Sequence, residues 1–258
     1  MHQDLATFLQ TFIYPLVVTV VLWGGLTAGL LSLNRRGLGA GRLALVGLGL
    51  ALIVAHQQLW ATRDDLSVLG SYRAFVAGML IWTWHELAFY SGVITGPWAK
   101  PCPPEARGWQ RFWFALGTHL YHELAMLLEA IALVILLWGG QNWIGPATIA
   151  LSWALQHSAK LNVLLGVRFL QVDLFPAHLR YLGSYWRSRP SNPLFVPTII
   201  VATGLALLLW LWATQGQAGY VGAALLASLA ALGAFEHLLL MLLPAPPNYS
   251  SARHASSE

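Results

Sequence analysis

Long apolar runs dominate this chain and decide what it can fold into. Phe12 to Leu33 reads FIYPLVVTVVLWGGLTAGLLSL without a single charged residue. A membrane-spanning helix needs about 20 predominantly apolar residues. Comparable runs recur at roughly 43–60, 70–93, 112–138, 146–166, 195–214 and 219–243. Only 9 % of the 258 residues are charged, against about 25 % in a soluble domain. Too few charges exist to coat a water-soluble surface. The expected fold is therefore all-α and polytopic, with about seven transmembrane helices. Residues 1–243 form one transmembrane domain in this reading, and 244–258 (PAPPNYSSARHASSE) form a disordered cytoplasmic tail. His2 and Asp4 precede the first run, which lacks a basic leader and a cleavage site, so it reads as a retained helix.

Loop charge sets an orientation. Arg35, Arg36 and Arg42 follow the first run, and Lys100, Glu105, Arg107 and Arg111 lie between the third and fourth. Arg168, Arg180, Arg187 and Arg189 stand against Asp173 after the fifth, and Arg253 lies in the tail. The intervening loops are uncharged or, at Arg63–Asp64–Asp65, nearly balanced. Arginine and lysine favour the cytoplasmic side. The N-terminus is thus expected outside and the C-terminus in the cytoplasm. The pI near 9.5 then reflects basic cytoplasmic loops, and nucleic acid is not an expected partner. The single cysteine, Cys102, excludes an internal disulfide and any cysteine-based zinc site.

Ionisable residues lie within these apolar runs. They are His85 and Glu86 on the third, and His119, His122, Glu123 and Glu129 on the fourth. His157 is on the fifth, and Glu236 and His237 are on the seventh. A charge at mid-bilayer costs about 3 kcal/mol even on lenient insertion scales, and such residues default to function. At 1.5 Å per residue, all but Glu129 fall roughly 10–16 Å from the cytoplasmic edge. Glu129 lies about 10 Å deeper. His119, His122 and Glu123 are spaced i, i+3, i+4 and would share one helix face.

Imidazole and carboxylate together suit iron, zinc or manganese. Inward glutamates and histidines are the design of di-iron carboxylate bundles. The expected metal set is His85, Glu86, His119, His122, Glu123, His157, Glu236 and His237, around di-iron or another divalent metal. Histidine also ligates the magnesium of (bacterio)chlorophyll and the iron of haem, so a tetrapyrrole is the alternative. Trp82 and Trp84 flank His85 and are candidate pocket walls. Lys160 and Asn162 are candidate binding residues for an anionic group, although Lys160 can instead snorkel to the interface. The bland alternative is a mutually satisfied polar network, and His56 reads simply as a hydrogen-bonded packing residue.

Several stretches resemble one family. They are WHELAFYSGVITGP, PCP, GWQRFWFALGTHLYHELA, SAKLNVLLGV, LFPAHLRYLGSYWRSRPSNPLFVPT and FEHLLLMLLPAPP, in order from about Ile81 to Pro247. The chain is similar here to the PuhE family, photosynthetic complex assembly protein 2, of anoxygenic phototrophic bacteria. Gln156–His157 and Arg168–Phe169 depart from the family pattern. The resemblance implies a multi-pass protein of the bacterial inner, photosynthetic membrane. It implies a role in reaction-centre and light-harvesting complex assembly or bacteriochlorophyll supply. Expected partners are lipid, photosynthetic complex subunits or pigment-biosynthesis proteins, and a pigment. Two alternatives stand beside it: a membrane di-iron oxidase or hydroxylase acting on a pigment or isoprenoid intermediate, and a structural assembly protein whose His/Glu network is purely polar.

Overall fold

The computed structural model describes residues 2–168, 170, 172 and 175–243. The expected tail at 244–258 and Asp173 lie outside the described residues. In chain order the helices are α1 (His2–Phe8), α2 (Tyr14–Arg35), α3 (Leu38–Ala61), α4 (Val68–Tyr90) and α5 (Gly108–Gly117). They continue with α6 (Leu120–Leu136), α7 (Ile144–Leu165), α8 (Phe195–Ala213) and α9 (Tyr220–Leu242). A 3-10 segment, Ala177–Tyr185, lies between α7 and α8. Among the described residues the only β-type pairing is an isolated bridge, Val167 to Ser188.

A π-turn at Leu9–Ile13 joins α1 to α2. Pro15 follows it after one residue, Tyr14. Proline offers no amide to the carbonyl four residues back, so the helical ladder loosens there.

Four helical stretches are long and apolar enough to cross a membrane: Leu5–Leu33, Leu38–Ala61, Phe195–Ala213 and Tyr220–Leu242. A fifth arises if α5 and α6 form one broken span. The protein is thus an all-helical membrane protein. Helices α4 and α7 coincide with two further expected runs but are less apolar. Burial explains how α4 tolerates this. Its residues from Ala77 to Phe89 are almost all buried, facing protein on every side. It packs against α2, α3, α6, α7 and α9. A helix enclosed by protein need not be greasy all round.

Helix α9 is the other central element, packing on α2, α4, α7 and α8. Just over half of its apolar window (56 %) is buried, against 17 % for each of the other three long apolar helices. Its run of Gly222, Ala223, Ala224, Ala227, Ser228, Ala230, Gly233 and Ala234 lets neighbouring backbones approach closely, as membrane helices require. The same logic operates between α4 and α7. A Cβ at Gly78 would stand 2.8 Å from the Gly145 carbonyl oxygen.

The fourth expected span, 112–138, is not one helix. It is α5 and α6, bent by 66° at Thr118–His119. The cause is a distant segment. The stretch after α4 folds back into the break. The Thr95 carbonyl accepts the His122 amide at 3.0 Å, and the Gly117 carbonyl accepts the Trp98 amide at 2.9 Å. These bonds satisfy backbone groups freed at the two helix ends. Gly96 lies against the break so closely that a Cβ would reach within 2.2 Å of the Gly117 oxygen.

A cap closes over the end of α7. The Arg111 guanidinium donates Nη1 to the Leu164 carbonyl at 2.7 Å and Nη2 to the Tyr185 carbonyl. Asn192 Nδ2 donates to the Gly166 carbonyl at 2.9 Å. The Cys102 amide donates to Ser184 Oγ at 2.8 Å, which ties the α4–α5 loop to the 3-10 segment.

Candidate functional site: buried carboxylates beside paired cavities

Successive helix residues point about 100° apart, and this splits His85 from Glu86. His85 turns towards α6, where its Nε2 lies 3.4 Å from Glu129 Oε2. Glu129 Oε1 meets His56 Nε2 of α3 at 2.8 Å. His56 Nδ1 is 2.8 Å from the Leu52 carbonyl oxygen. A carbonyl only accepts, so Nδ1 carries a hydrogen. The His56–Glu129 contact then needs a second proton, held on either the imidazole or the carboxyl.

Glu86 faces the other way. Its Oε1 lies 3.2 Å from His122 Nε2, and its Oε2 accepts a hydrogen bond from Gln156 Nε2 of α7. Glu86 and His122 are both only 1 % exposed.

Glu123 is the most heavily engaged. Its Oε1 accepts from Lys160 Nζ at 2.7 Å and has His119 Nε2 at 3.7 Å. Its Oε2 accepts from Trp153 Nε1 at 2.6 Å and has His157 Nδ1 at 3.4 Å. Lys160 thus ends on a buried carboxylate and does not reach out to the interface.

The shared face expected for His119, His122 and Glu123 is not formed. The break places His119 outside the helix, at the N-cap of α6 with φ −137° and ψ 14°. Its Nδ1 pairs with Thr118 Oγ1 at 2.9 Å, while His122 crosses to Glu86. On α9, Glu236 accepts from Trp23 Nε1. His237 holds the Gly233 carbonyl through Nδ1 at 2.7 Å and Ser158 Oγ through Nε2 at 2.8 Å. Asn162 Nδ2 bonds the Ser158 carbonyl at 2.9 Å and Thr198 Oγ1 at 3.3 Å, joining α7 to α8. Trp82 stacks on Trp23, with ring centroids 4.8 Å apart. Trp84 donates to the Leu45 carbonyl at 3.3 Å and meets His85 edge-on.

The eight side chains expected around one metal are therefore spread over separate neighbourhoods. Among the described residues, no group of three or more His, Cys, Asp or Glu is placed to hold a metal ion. The chemistry of the donors agrees. The richest set, around Glu123, already contains an ammonium at 2.7 Å, which repels a cation there. The residues do not fit a di-metal centre.

Two cavities adjoin this network. One, of about 210 Å³, is walled by the Trp23–Trp82 pair and receives Glu86 and Glu236. The other, of about 310 Å³, lies beneath the 3-10 cap. Its wall is mostly apolar, with Phe89, Val163, Leu182 and Leu240 among its members, and His119 and Lys160 as polar points. Tyr90, Gln156 and Ala159 line both, so the chambers share one partition. Tyr185 closes the cap side; burial pushes its phenol up to about 12, and its hydroxyl donates to the Lys100 carbonyl at 3.2 Å. Sequence reasoning missed Trp23, Tyr90, Trp153 and Gln156. Gln156 carried a usable signal, standing one helical turn before Lys160 on the same face.

Broken helices, buried carboxylates and a mostly apolar cavity with few polar points define a helical membrane bundle with internal cavities. The chain belongs to the DUF3623 family, described as a protein of unknown function, whose pattern matches residues 9–249. It is 36 % identical over 238 residues to a Rhodobacter capsulatus protein recorded as "Uncharacterized 30.4 kDa protein in puhA 5'region". The match covers 89 % of this chain and 86 % of that protein. No solved structure matches the chain.

Proposed function

We propose that this protein is a factor of the photosynthetic membrane that serves reaction-centre and light-harvesting complex assembly or bacteriochlorophyll supply. It does so by holding a mostly apolar, pigment-like molecule in the paired cavities. The carrying observation is the larger chamber, apolar around most of its wall but presented with Lys160 and His119 at one side. Ligand sites have this form: apolar lining and a few convergent polar groups. The record of a relative in the puhA 5' region and the resemblance to the PuhE family support the setting. Seven spans, with the N-terminus outside and the cap on the cytoplasmic side, accommodate the alternation of basic loops.

Lys160 supplies a cation for a carboxylate or carbonyl of the bound molecule, and Glu123 holds that cation in place. His119 is the histidine that lines the larger chamber among the described residues. It would meet the magnesium of a bacteriochlorophyll or the iron of a haem, which brings its own light absorption or redox chemistry. The donor arrangement gives no support to a di-iron oxidase, and no reaction is assigned to a divalent metal.

The test is purification from native phototrophic membranes in mild detergent, followed by absorption spectroscopy and mass spectrometry. A bound pigment or pigment precursor is expected. A protein free of any such molecule, in a strain that assembles its complexes normally without it, refutes the proposal.

A further inference from the structure

A third concavity, of about 490 Å³, lies beside the cap and shares Leu164 with the wall of the larger chamber. Leu161, Leu164, Leu165 and Leu194 form an apolar wall, with Trp109 and Phe112 at its side. Three arginines face it: Arg111, Arg187 and Arg189. They lie near enough for Arg187 and Arg189 to act electrostatically on Arg111. Among the described residues, the one ion pair made by an arginine is Arg63 to Asp64, at 3.1 Å and far along the chain. So three like charges crowd one groove, and no described carboxylate offsets them.

Arg111 explains part of this. It is 8 % exposed, and its guanidinium holds the Leu164 and Tyr185 carbonyls. That is a structural duty. Among the described residues, the Arg187 and Arg189 side chains make no such bond, while their backbones pair with Val167 at 3.1 and 3.2 Å. The main chain thus fixes their positions beside the groove. Trp109, 75 % exposed, is of the residue type that concentrates at membrane interfaces. The groove joins cations to a leucine wall.

We propose that this groove binds the phosphate headgroup of an anionic phospholipid, with an acyl chain along the leucine wall. Arginine's planar fork matches phosphate oxygens in pairs. Basic pockets beside membrane helices bind anionic headgroups in this way. The bound lipid pins the cap across the ends of α5 and α7, and so holds closed the roof of the larger chamber.

The test uses the full chain in neutral detergent with added lipid, read by native mass spectrometry and thermal stability. Wild type should retain phosphatidylglycerol or cardiolipin and be stabilised by them, and phosphatidylcholine should do neither. Each interfacial arginine contributes about fivefold in affinity. Arg187→Gln with Arg189→Gln should therefore weaken anionic-lipid binding about thirtyfold. Arg35→Gln with Arg36→Gln, on a different loop, should change it less than twofold. Retention of phosphatidylcholine equal to that of phosphatidylglycerol overturns the proposal. So does an equal loss in the Arg35 and Arg36 pair, which means general surface attraction. Stabilisation by inorganic phosphate alone to the same extent overturns the lipid as occupant. Arg187→Lys with Arg189→Lys should retain part of the affinity, which separates recognition from a fold defect.

Discussion

Replacing Lys160 by methionine removes the ammonium that lies 2.7 Å from Glu123 Oε1 and keeps most of the side-chain bulk. Glu123 is 7 % exposed, so its charge cannot recruit bulk water in exchange. Breaking a buried ion pair from one side costs about 3–5 kcal/mol. Trp153 still donates at 2.6 Å, and two imidazoles stand at 3.4 and 3.7 Å. These partners place the loss near the lower end, about 3 kcal/mol. Glu123→Gln leaves Lys160, whose side chain is 25 % exposed and can swing to the interface. That change should cost about 1 kcal/mol. With both substitutions no uncompensated charge is buried, and the double variant should be more stable than Lys160→Met alone. The implied coupling is about 2 kcal/mol, within the range for contacting residues. Reversible unfolding in mixed micelles, followed by tryptophan fluorescence, measures all four corners, and Trp153 is itself a local reporter. A Lys160→Met loss below about 0.5 kcal/mol, with no coupling to Glu123, would refute the reasoning. Lysine would then be an interfacial residue with a dispensable charge.

Three further outcomes follow from the same structure. Gly96→Val drives a side chain into the Gly117 carbonyl and the α6 amides. Overpacking of this kind costs about 1–3 kcal/mol, and faster amide exchange at Leu120–Glu123 should report it. His178 in the cap is held below its ordinary value of 6.5 by burial. The unfolded cap therefore takes the proton first, so its stability is complete above pH 6.5 and falls as pH drops below that. Protection factors across 177–185, corrected for the intrinsic slowing of amide exchange in acid, should fall below pH 6.5 in wild type and stay level in His178→Leu. A topology reporter fused after Asp65 should read external if seven spans place the N-terminus outside, and a cytoplasmic reading contradicts that arrangement.

The membrane class was legible because apolar length is a local property. Twenty uncharged residues in a row declare themselves without knowledge of any neighbour. The buried acids were legible for the same reason. Their partners were not. His85 and Glu86 are adjacent in sequence, and only the positions of α6 and α7 decide that one meets Glu129 and the other meets Gln156 and His122. The break at Thr118–His119 was hidden more deeply. Phe112 to Trp138 reads as a continuous apolar run, and the break is made by Thr95, Gly96 and Trp98 arriving from another segment. Helical spacing alone brought His119, His122 and Glu123 to one face, whereas the break leaves His119 near Glu123 and His122 turned to Glu86. Lys160 misled for a related reason. Snorkelling is the default for a lysine near a span end, and a carboxylate contributed by a different helix overrode it.

Ala159 offers the most direct test, because it lines both cavities and belongs to none of the ion-paired groups. Ala159→Phe should fill the partition between the chambers and leave the carboxylate network intact. Wild type isolated from native membranes should carry a pigment-like molecule at near-equal stoichiometry. The Ala159→Phe protein, folded and inserted at normal levels, should lose it, and its strain should assemble fewer photosynthetic complexes. An Ala159→Phe protein that keeps the molecule, or a strain that assembles complexes as wild type does, contradicts an internal binding site as the seat of function.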